Sequence, residues 1–401
     1  MLISTPLIEQ SDKMSRKNLD KEIVESNKEV VDNIQLILSE NIKTYSRDWT
    51  VETIYNQIKQ GNIELNPKFQ RRNAWNDEKR SRLIESLILK LPVPEIVLAE
   101  SHTEKNRFVV LDGKQRLLTI AGYIDNSTYK YWDKPILRDL KLKPILNNMS
   151  IELLSQDLNK DNYRSFQNSD IRCTVVFNQS TDDILYEIFY RLNSGAVPLS
   201  MQELRQSLRK GDFSDFLMNY TEKIGPLHAV LGIEQPDKRL IDAEILLKFI
   251  SNRLRLKEYS GNLKKFLDDT MILLNNEYQI REKEIKQIAS ELDKGINQLS
   301  AIIGMDNIGK YADENRFNRN IFDVQVYYFS QLSSNDFNAK SNSKYVEGFK
   351  ELSKPNSDFR NALTSSTSTK RNYSVRFDLF RKLINDSFGK DFKRVLEVES
   401  E

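Results

Sequence analysis

The sequence predicts an α+β protein in which a mixed domain precedes a mostly α-helical one. At 401 residues the chain exceeds the usual size of a single domain. Short segments rich in β-branched residues alternate with helical patterns up to about residue 200. From there onward the apolar residues recur at helical spacing alone. We therefore predict an N-terminal helical arm over residues 1–46, a mixed domain over 47–200 and a helical domain over 201–401.

The first elements of the mixed domain are helices separated by a proline-containing loop. One helix is predicted near Val51–Gln60, because Ile54 and Ile58 share a face and Gly61-Asn62 is a typical helix end. A second helix is predicted to begin at Asn76-Asp77, where asparagine is a favoured N-cap, and to end before a proline-rich segment. The arm in front of them is polar, with apolar residues spaced for one peripheral helix.

The next segment predicts a β-hairpin that continues into a helix. Glu95–Ala99 and Arg107–Leu111 have the pattern of two short strands joined by a charged turn. The second strand leads into Asp112-Gly113, and the pattern over Lys114–Ile124 predicts an amphipathic helix. This strand, glycine turn and helix form the unit in which a binding site is expected.

The remainder of the mixed domain is predicted to hold a polar insertion, a strand and helices. Residues 125–165 are polar and predict an insertion or a cap over the domain. Ile171–Phe177 predicts a buried strand that contains the single cysteine, so a packed and inert thiol is expected. Ser200 and Glu203 have the spacing of a capping box. Four charged residues that follow are expected to form a solvated helix face: Glu203, Arg205, Arg209 and Asp212.

Composition excludes several classes of site. One cysteine rules out an internal disulfide framework and a thiolate zinc cluster, and it is typical of a reducing, cytoplasmic compartment. Two histidines leave little room for a histidine-dependent nuclease centre. The 60 Lys and Arg nearly balance 58 Asp and Glu, so a contact with nucleic acid needs a local patch. No segment approaches the length of a membrane span, and no membrane association is expected.

The cluster Asp112-Gly113-Lys114-Gln115-Arg116 is the candidate site. At a strand-to-helix turn the first helical amides point outward and the helix dipole favours an anion. Gly113 permits close approach of a ligand, and the planar guanidinium of Arg116 suits phosphate oxygens. Asp112 can hold a metal ion, orient water or cap the helix. Gln115 can bond a base, a ribose or a catalytic water.

A second polar cluster in the same domain favours a ligand site at Asp112–Arg116 over a simple helix start. By itself, Asp-Gly before a polar helix is more often a capped surface helix than a ligand site. Gln70-Arg71-Arg72 places further cationic and amide side chains in the same small domain, followed by Trp75. Two such clusters around one pocket would make a phosphate site. Trp75 can stack on a base, although an aromatic residue at a helix start more often packs in the core.

Four ordered blocks of the chain resemble the DGQQR-motif family, whose type member is the N-terminal part of the GmrSD modification-dependent restriction enzymes. The resemblance covers roughly residues 47 to 260. The blocks are Asn66–Arg72 with Trp75, Leu83–Leu87 leading to Pro92–Pro94, Val110–Thr119, and Phe189–Gly195 continuing to Leu199–Arg205. A later segment, Arg239–Glu244, also resembles the family.

The resemblance implies a ParB/sulfiredoxin-like fold and the binding or hydrolysis of a nucleoside triphosphate, with Mg²⁺ as the accompanying ion. Catalysis is then assigned to Asp112, Gln115 and Arg116, with Asp112 as the metal ligand. Nucleotide binding is assigned to Gln70, Arg71, Gly113, Lys114, Arg116 and Thr119. Lys114 stands where the family usually has glutamine. The histidine-centred HNH nuclease motif of two-domain members is not found in residues 201–401, so a standalone member is expected.

Two functional hypotheses follow. The first is a defence protein that hydrolyses a nucleoside triphosphate to control a DNA-directed response, with the nuclease activity supplied by a partner. Phosphoryl transfer needs mainly positioning and charge, so the scarcity of histidine is no obstacle. The second is a non-catalytic sensor of DNA or nucleotide that recruits a separate nuclease or methylase. Homo-oligomers are compatible with both. A purely structural arginine network ranks last, because buried arginines without an anion are costly.

Overall fold

The computed structural model describes residues 43–63, 65, 75–101, 106–130, 132–177, 185, 188, 192 and 200–397. They divide into two compact units, one ending at Leu208 and one starting at Arg209. The first unit contains a four-stranded sheet with helices, and the second consists of helices joined by loops. The predicted α+β class is confirmed.

The sheet of the first unit has the strand order β1-β4-β2-β3. Its strands are β1 (Lys43–Thr50), β2 (Ile96–Glu100), β3 (Phe108–Asp112) and β4 (Asp170–Phe177). The predicted hairpin is confirmed, since β2 and β3 pair antiparallel. Strand β4, the last in the chain, lies between β1 and β2 in the sheet. It pairs antiparallel with β1 and parallel with β2.

Strand β1 is a correction to the sequence prediction. The sequence places residues 43–46 in the helical arm, yet they pair with β4 from Lys43 opposite Phe177 onward. Most β1 side chains are exposed and Trp49 alone is buried, because β1 is an edge strand. A cross-strand ion pair between Asp48 and Arg172, at 3.0 Å, lies on its exposed surface. The rest of the predicted arm, residues 1–42, lies outside the described residues.

The first two helices of the first unit start where the sequence predicts, whereas the short helices Ile151–Leu154 and Lys160–Gln167 were not predicted. The Thr50 hydroxyl accepts from the Thr53 amide at 3.1 Å, and the Asn76 side-chain carbonyl oxygen accepts from the Lys79 amide at 3.0 Å. Both contacts are side-chain N-caps. The helices are α1 (Val51–Lys59), α2 (Asp77–Ile88), α3 (Lys114–Ile124), α4 (Ile151–Leu154), α5 (Lys160–Gln167) and α6 (Met201–Leu208).

The segment between α3 and β4 is part of the core rather than a polar cap. Trp132 is fully buried there, with Leu137, Leu146 and other apolar residues of the segment. The segment is tied to α2 by Glu85, whose carboxylate accepts from the backbone amides of Leu142 and Lys143 at 3.1 and 2.7 Å. A buried carboxylate thus replaces water as the acceptor for a loop that lacks regular hydrogen bonding.

The second unit is a helical bundle around an aromatic-rich core. Its helices are α7 (Asp212–Thr221), α8 (Pro226–Leu231), α9 (Ile241–Arg255), α10 (Leu263–Ile303), α11 (Arg319–Phe329), α12 (Ala339–Leu352), α13 (Asp358–Thr364) and α14 (Lys370–Phe388). His228 and Asp242 are both buried, and His228 Nε2 lies 3.2 Å from the Asp242 carboxylate. Among the described helices of either unit, none combines the length and apolar composition needed to cross a bilayer.

Candidate functional site

The predicted strand-to-helix turn is present, and its backbone requires glycine. Strand β3 ends at Asp112, and Gly113 has a φ of 93° before α3 begins at Lys114. A Cβ at Gly113 would lie 2.9 Å from Cγ1 and 3.3 Å from Cα of Ile96. The turn therefore packs directly against the start of β2, and a larger residue would push the two apart.

Gly113 is the N-cap of α3, and no side chain caps this helix end. The capping role considered for Asp112 is therefore wrong, because its carboxylate bonds to Arg116 instead. Leu117, Ile120 and Ala121 of α3 are fully buried, which confirms the predicted amphipathic helix. A helix start without a side-chain cap presents its first amides to an external acceptor.

Arg116 closes the turn from the helix side. Its Nη2 atom donates to the Asp112 carboxylate and to the backbone carbonyl of Glu95, both at 2.7 Å. The Arg116 side chain is 11% exposed and that of Asp112 is 39% exposed. Arg116 therefore has a structural role, because it connects the end of β3 with the residue before β2. The exposed Asp112 carboxylate remains accessible from solvent.

Two polar atoms of the turn are buried without a hydrogen-bond partner in the described part of the chain: Gln115 Oε1 and Arg116 Nε. One is an acceptor and the other a donor. A buried polar atom without a partner costs about 1–3 kcal/mol, and such atoms are uncommon in native proteins. Similar buried atoms occur at other places in the described residues, among them Arg80 Nε and Trp132 Nε1, so the turn is one of several places with such an atom.

The remaining residues of the motif differ in their accessibility. Lys114 is half-buried, and desolvation lowers its pKa, while the nearby Glu203 carboxylate acts to raise it. Thr119, assigned to nucleotide binding by sequence, is buried, and its hydroxyl donates to the Gln115 carbonyl at 2.8 Å. The structure therefore gathers Asp112, Lys114, Gln115 and Arg116 at the turn, whereas Thr119 lies one turn further along α3 with its hydroxyl used inside the helix.

Helix α6 contributes residues that the sequence placed on a solvated face. The predicted capping box is confirmed, because the Ser200 amide donates to Glu203 Oε2 at 2.7 Å and the Glu203 amide donates to Ser200 Oγ at 3.1 Å. The predicted solvation of Glu203 and Arg205 is wrong, because they are 9% and 1% exposed. Arg205 donates to the Gln202 side chain at 2.6 Å. Helix α6 packs against β3, the strand that leads into the turn.

These buried polar residues of α6 were missed as candidates. Charge on a helix predicts solvation, and that rule fails where each charge has a partner inside the protein. The capping box was the available signal, since it placed the Glu203 carboxylate at the start of α6 rather than in free solvent.

Other sequence candidates lie elsewhere or outside the described residues. Gln70 and Arg71 are among the residues that the structure does not describe. Trp75 packs against the core of the first unit, which favours its structural interpretation. Cys173 is buried in β4, and burial raises the pKa of its thiol to about 12. This thiol is therefore inert, as the sequence predicts.

A resident metal centre is not formed by the described residues, since nowhere among them do three His, Cys, Asp or Glu side chains converge. Asp112 is a carboxylate at a turn that is suited to phosphate. Mg²⁺ in phosphate sites usually takes one or two carboxylates together with substrate oxygens and water. A single carboxylate of this kind would leave most coordination positions of a Mg²⁺ ion to ligand oxygens and water.

Residues 51–209 match the family described as GmrSD restriction endonuclease, N-terminal domain. The matched range contains all four motif blocks and the whole turn, whereas the later segment 239–244 lies beyond it. No curated protein and no solved structure matches the chain.

Proposed function

We propose that this chain is a restriction-type protein that binds a nucleoside triphosphate at the Asp112–Arg116 turn, because residues 51–209 match the GmrSD N-terminal family. The observation that carries the proposal is the pair of buried, unpartnered atoms Gln115 Oε1 and Arg116 Nε. An anionic ligand with hydroxyl or amide donors would satisfy both kinds of atom. The uncapped start of α3 supplies further backbone donors to phosphate.

Each side chain of the turn has a distinct part in this proposal. Arg116 offers a planar donor set to phosphate oxygens, and Lys114 adds a second cation. Asp112 would hold a Mg²⁺ ion that accompanies the nucleotide, and such an ion would neutralise charge on the phosphates. Gln115 orients the attacking water or a ribose hydroxyl through its amide. Gln70 and Arg71, which lie outside the described residues, are assigned to the phosphates by the family resemblance alone.

Binding and hydrolysis are expected to change the Asp112–Arg116 contact. In the structure the guanidinium shares one nitrogen between Asp112 and Glu95. A phosphate that bonds to Arg116 competes with Asp112, and the released carboxylate is then available to the metal ion. This exchange would couple the nucleotide state to the link between β3 and β2. The matched family is described as a restriction endonuclease, so the controlled response is directed at DNA, with a partner nuclease or methylase.

The test is phosphate release from ATP, GTP and CTP with Mg²⁺, with and without DNA. Wild type is compared with Arg116→Ala and Asp112→Ala. Asp48→Ala is the matched control, because Asp48 also pairs with an arginine but lies on the exposed edge strand. The proposal expects turnover in wild type and in the control, and none in the two turn variants.

Two other outcomes decide between the alternatives. Nucleotide binding that depends on Arg116 without turnover would make the protein a sensor that recruits a separate effector. Turnover that persists in Asp112→Ala and Arg116→Ala would exclude the turn as the hydrolytic site.

A further inference from the structure

One stretch of the first unit carries a large share of the exposed apolar side chains. Among the described residues nine large apolar side chains are exposed, and four of them lie within residues 142–158. They are Leu142, Ile145, Leu153 and Leu158, which are 66%, 74%, 42% and 97% exposed. Single exposed apolar residues are normal on a protein surface, whereas apolar groups gathered in one place indicate an interaction site. We call these four residues the 142–158 surface.

The core of the first unit does not account for these four residues. The same stretch of chain buries Leu146 and Leu154 completely, so apolar residues already fill its inward-facing positions. The residues of the 142–158 surface point outward beside them and add nothing to that core. Polar side chains would serve the fold of a single chain equally well at these four positions.

Hydrogen bonds hold the two ends of the surface together. Lys143 Nζ donates to Asn162 Oδ1 at 2.6 Å. Asn159 Nδ2 donates to the Met149 sulfur at 3.8 Å and to the Leu153 carbonyl at 3.3 Å. Two of these contacts join the loop that carries the first two residues of the surface to the chain segment directly after the last one. The four apolar residues therefore lie in one local region of the unit.

The two ends of the surface carry opposite charge. Residues 141–150 contain two lysines and no acidic residue, whereas residues 151–158 contain Glu152 and Asp157 and no basic residue. Lys160 lies 3.5 Å from Asp157, but both side chains are exposed, and such a pair contributes little. In a twofold contact each residue meets its counterpart reciprocally, so the positive end of one copy lies over the negative end of the other. The surface is thus complementary in charge to a second copy of itself.

We propose that the 142–158 surface is the interface of a homodimer, in which two copies of this chain associate about a twofold axis. The apolar side chains fill the centre of the contact, and the lysines of each copy face the carboxylates of the other. Apolar burial supplies the affinity, and the charges fix the orientation of the two copies. The proposal does not depend on nucleotide binding, because no residue of the surface belongs to the Asp112–Arg116 turn.

Sedimentation equilibrium of the full chain measures the association. Ile145→Asp and Leu158→Asp are compared with wild type and with the control Ile280→Asp, whose side chain is 88% exposed on α10. Because all three residues are exposed in the single chain, the substitutions should leave its fold intact, and near-ultraviolet circular dichroism verifies this. Wild type and the control are expected to have twice the chain mass of 46.9 kDa. The two surface variants are expected to raise the dissociation constant of the dimer at least about a hundredfold.

Charge reversal tests the twofold arrangement. Lys141→Glu and Glu152→Lys should each weaken the dimer about tenfold, because like charges then face one another across the interface. The double variant should recover the association of wild type, since both copies carry both changes. A monomeric wild type overturns the proposal and leaves the surface to a different protein. Equal association of wild type and the two aspartate variants overturns it as well, and a double variant no better than the single ones overturns the twofold arrangement.

Discussion

Replacing Gly113 by alanine tests the geometry of the turn most sharply. Gly113 has a φ of 93°, a conformation that costs a residue with a Cβ about 1–2 kcal/mol. The new Cβ would also lie 2.9 Å from Cγ1 and 3.3 Å from Cα of Ile96. Because one of these atoms belongs to the backbone, relief requires β2 to shift, and overpacking of this kind costs about 1–3 kcal/mol. Gly113→Ala should therefore lower the free energy of unfolding by about 2–5 kcal/mol.

Gly61→Ala is the matched control, because Gly61 has a φ of 77° and a Cβ added there would have no neighbouring atom within 4 Å. It should cost only the conformational part, about 1–2 kcal/mol. The assay is urea unfolding followed by tryptophan fluorescence. All three tryptophans, Trp49, Trp75 and Trp132, lie in the first unit, so the signal reports on that unit alone. Equal losses in the two variants would refute the argument that the turn packs tightly against β2.

Three further predictions concern the same unit. Glu85→Ala should lower the unfolding free energy of this unit by about 2–4 kcal/mol, because two loop amides lose their acceptor. The control Glu78→Ala, at an exposed ion pair, should change it by under about 1 kcal/mol. Similar losses in the two variants would contradict the role of Glu85. A hydrogen bond from the Ser127 hydroxyl, with others, lowers the pKa of Asp125 from 3.8 to about 2, so the free energy of unfolding should fall as pH drops through this range. In a series of urea unfolding curves at different pH, Asp125→Asn should reduce this pH dependence. An unchanged dependence on pH would contradict the shift. Burial raises the pKa of the Cys173 thiol to about 12, so iodoacetamide should label it in urea but not in the native protein. Mass spectrometry measures the labelling, and rapid labelling of the native protein would contradict the burial of this thiol.

The parts of the fold that sequence predicted well are those in which apolar spacing and turn chemistry agree. The helix over Lys114–Ile124 was predicted with the bounds that the structure shows. The N-cap at Asn76 and the capping box of Ser200 and Glu203 were also correct, because each depends on contacts within a few residues.

The errors arise where long-range contacts decide the structure. The strand Lys43–Thr50 has mostly polar, exposed residues and lacks the alternation that marks a half-buried strand. Only its pairing with β4 makes it a strand. The segment over 125–165 buries Trp132 and Leu137 in its first part, which has no helix or strand, and sequence reasoning also missed the helices α4 and α5 in its second part. Its polar average composition therefore did not reveal that it belongs to the core.

The strand-to-helix turn that contains Asp112, Gln115 and Arg116 was predicted from sequence, and the structure shows it. The functional roles assigned to these residues stay predictions. Sequence could not show that Arg116 bonds to the Glu95 carbonyl, because that contact depends on how β2 lies beside β3. The burial of Glu203 and Arg205 could not be predicted from sequence either, because it depends on how α6 packs.

Equilibrium binding of nucleotides to Arg116 variants tests the central claim most directly. Arg116→Ala and Arg116→Lys are compared with Arg172→Ala, which removes an exposed arginine from another Arg–Asp pair. Near-ultraviolet circular dichroism verifies that each variant is folded. We predict that at least one of ATP, GTP and CTP with Mg²⁺ binds wild type and Arg172→Ala equally. The loss of charged hydrogen bonds in Arg116→Ala should weaken that binding roughly tenfold to a hundredfold, with Arg116→Lys in between. Failure of wild type to bind any of the three, or equal binding by a folded Arg116→Ala, would contradict the account.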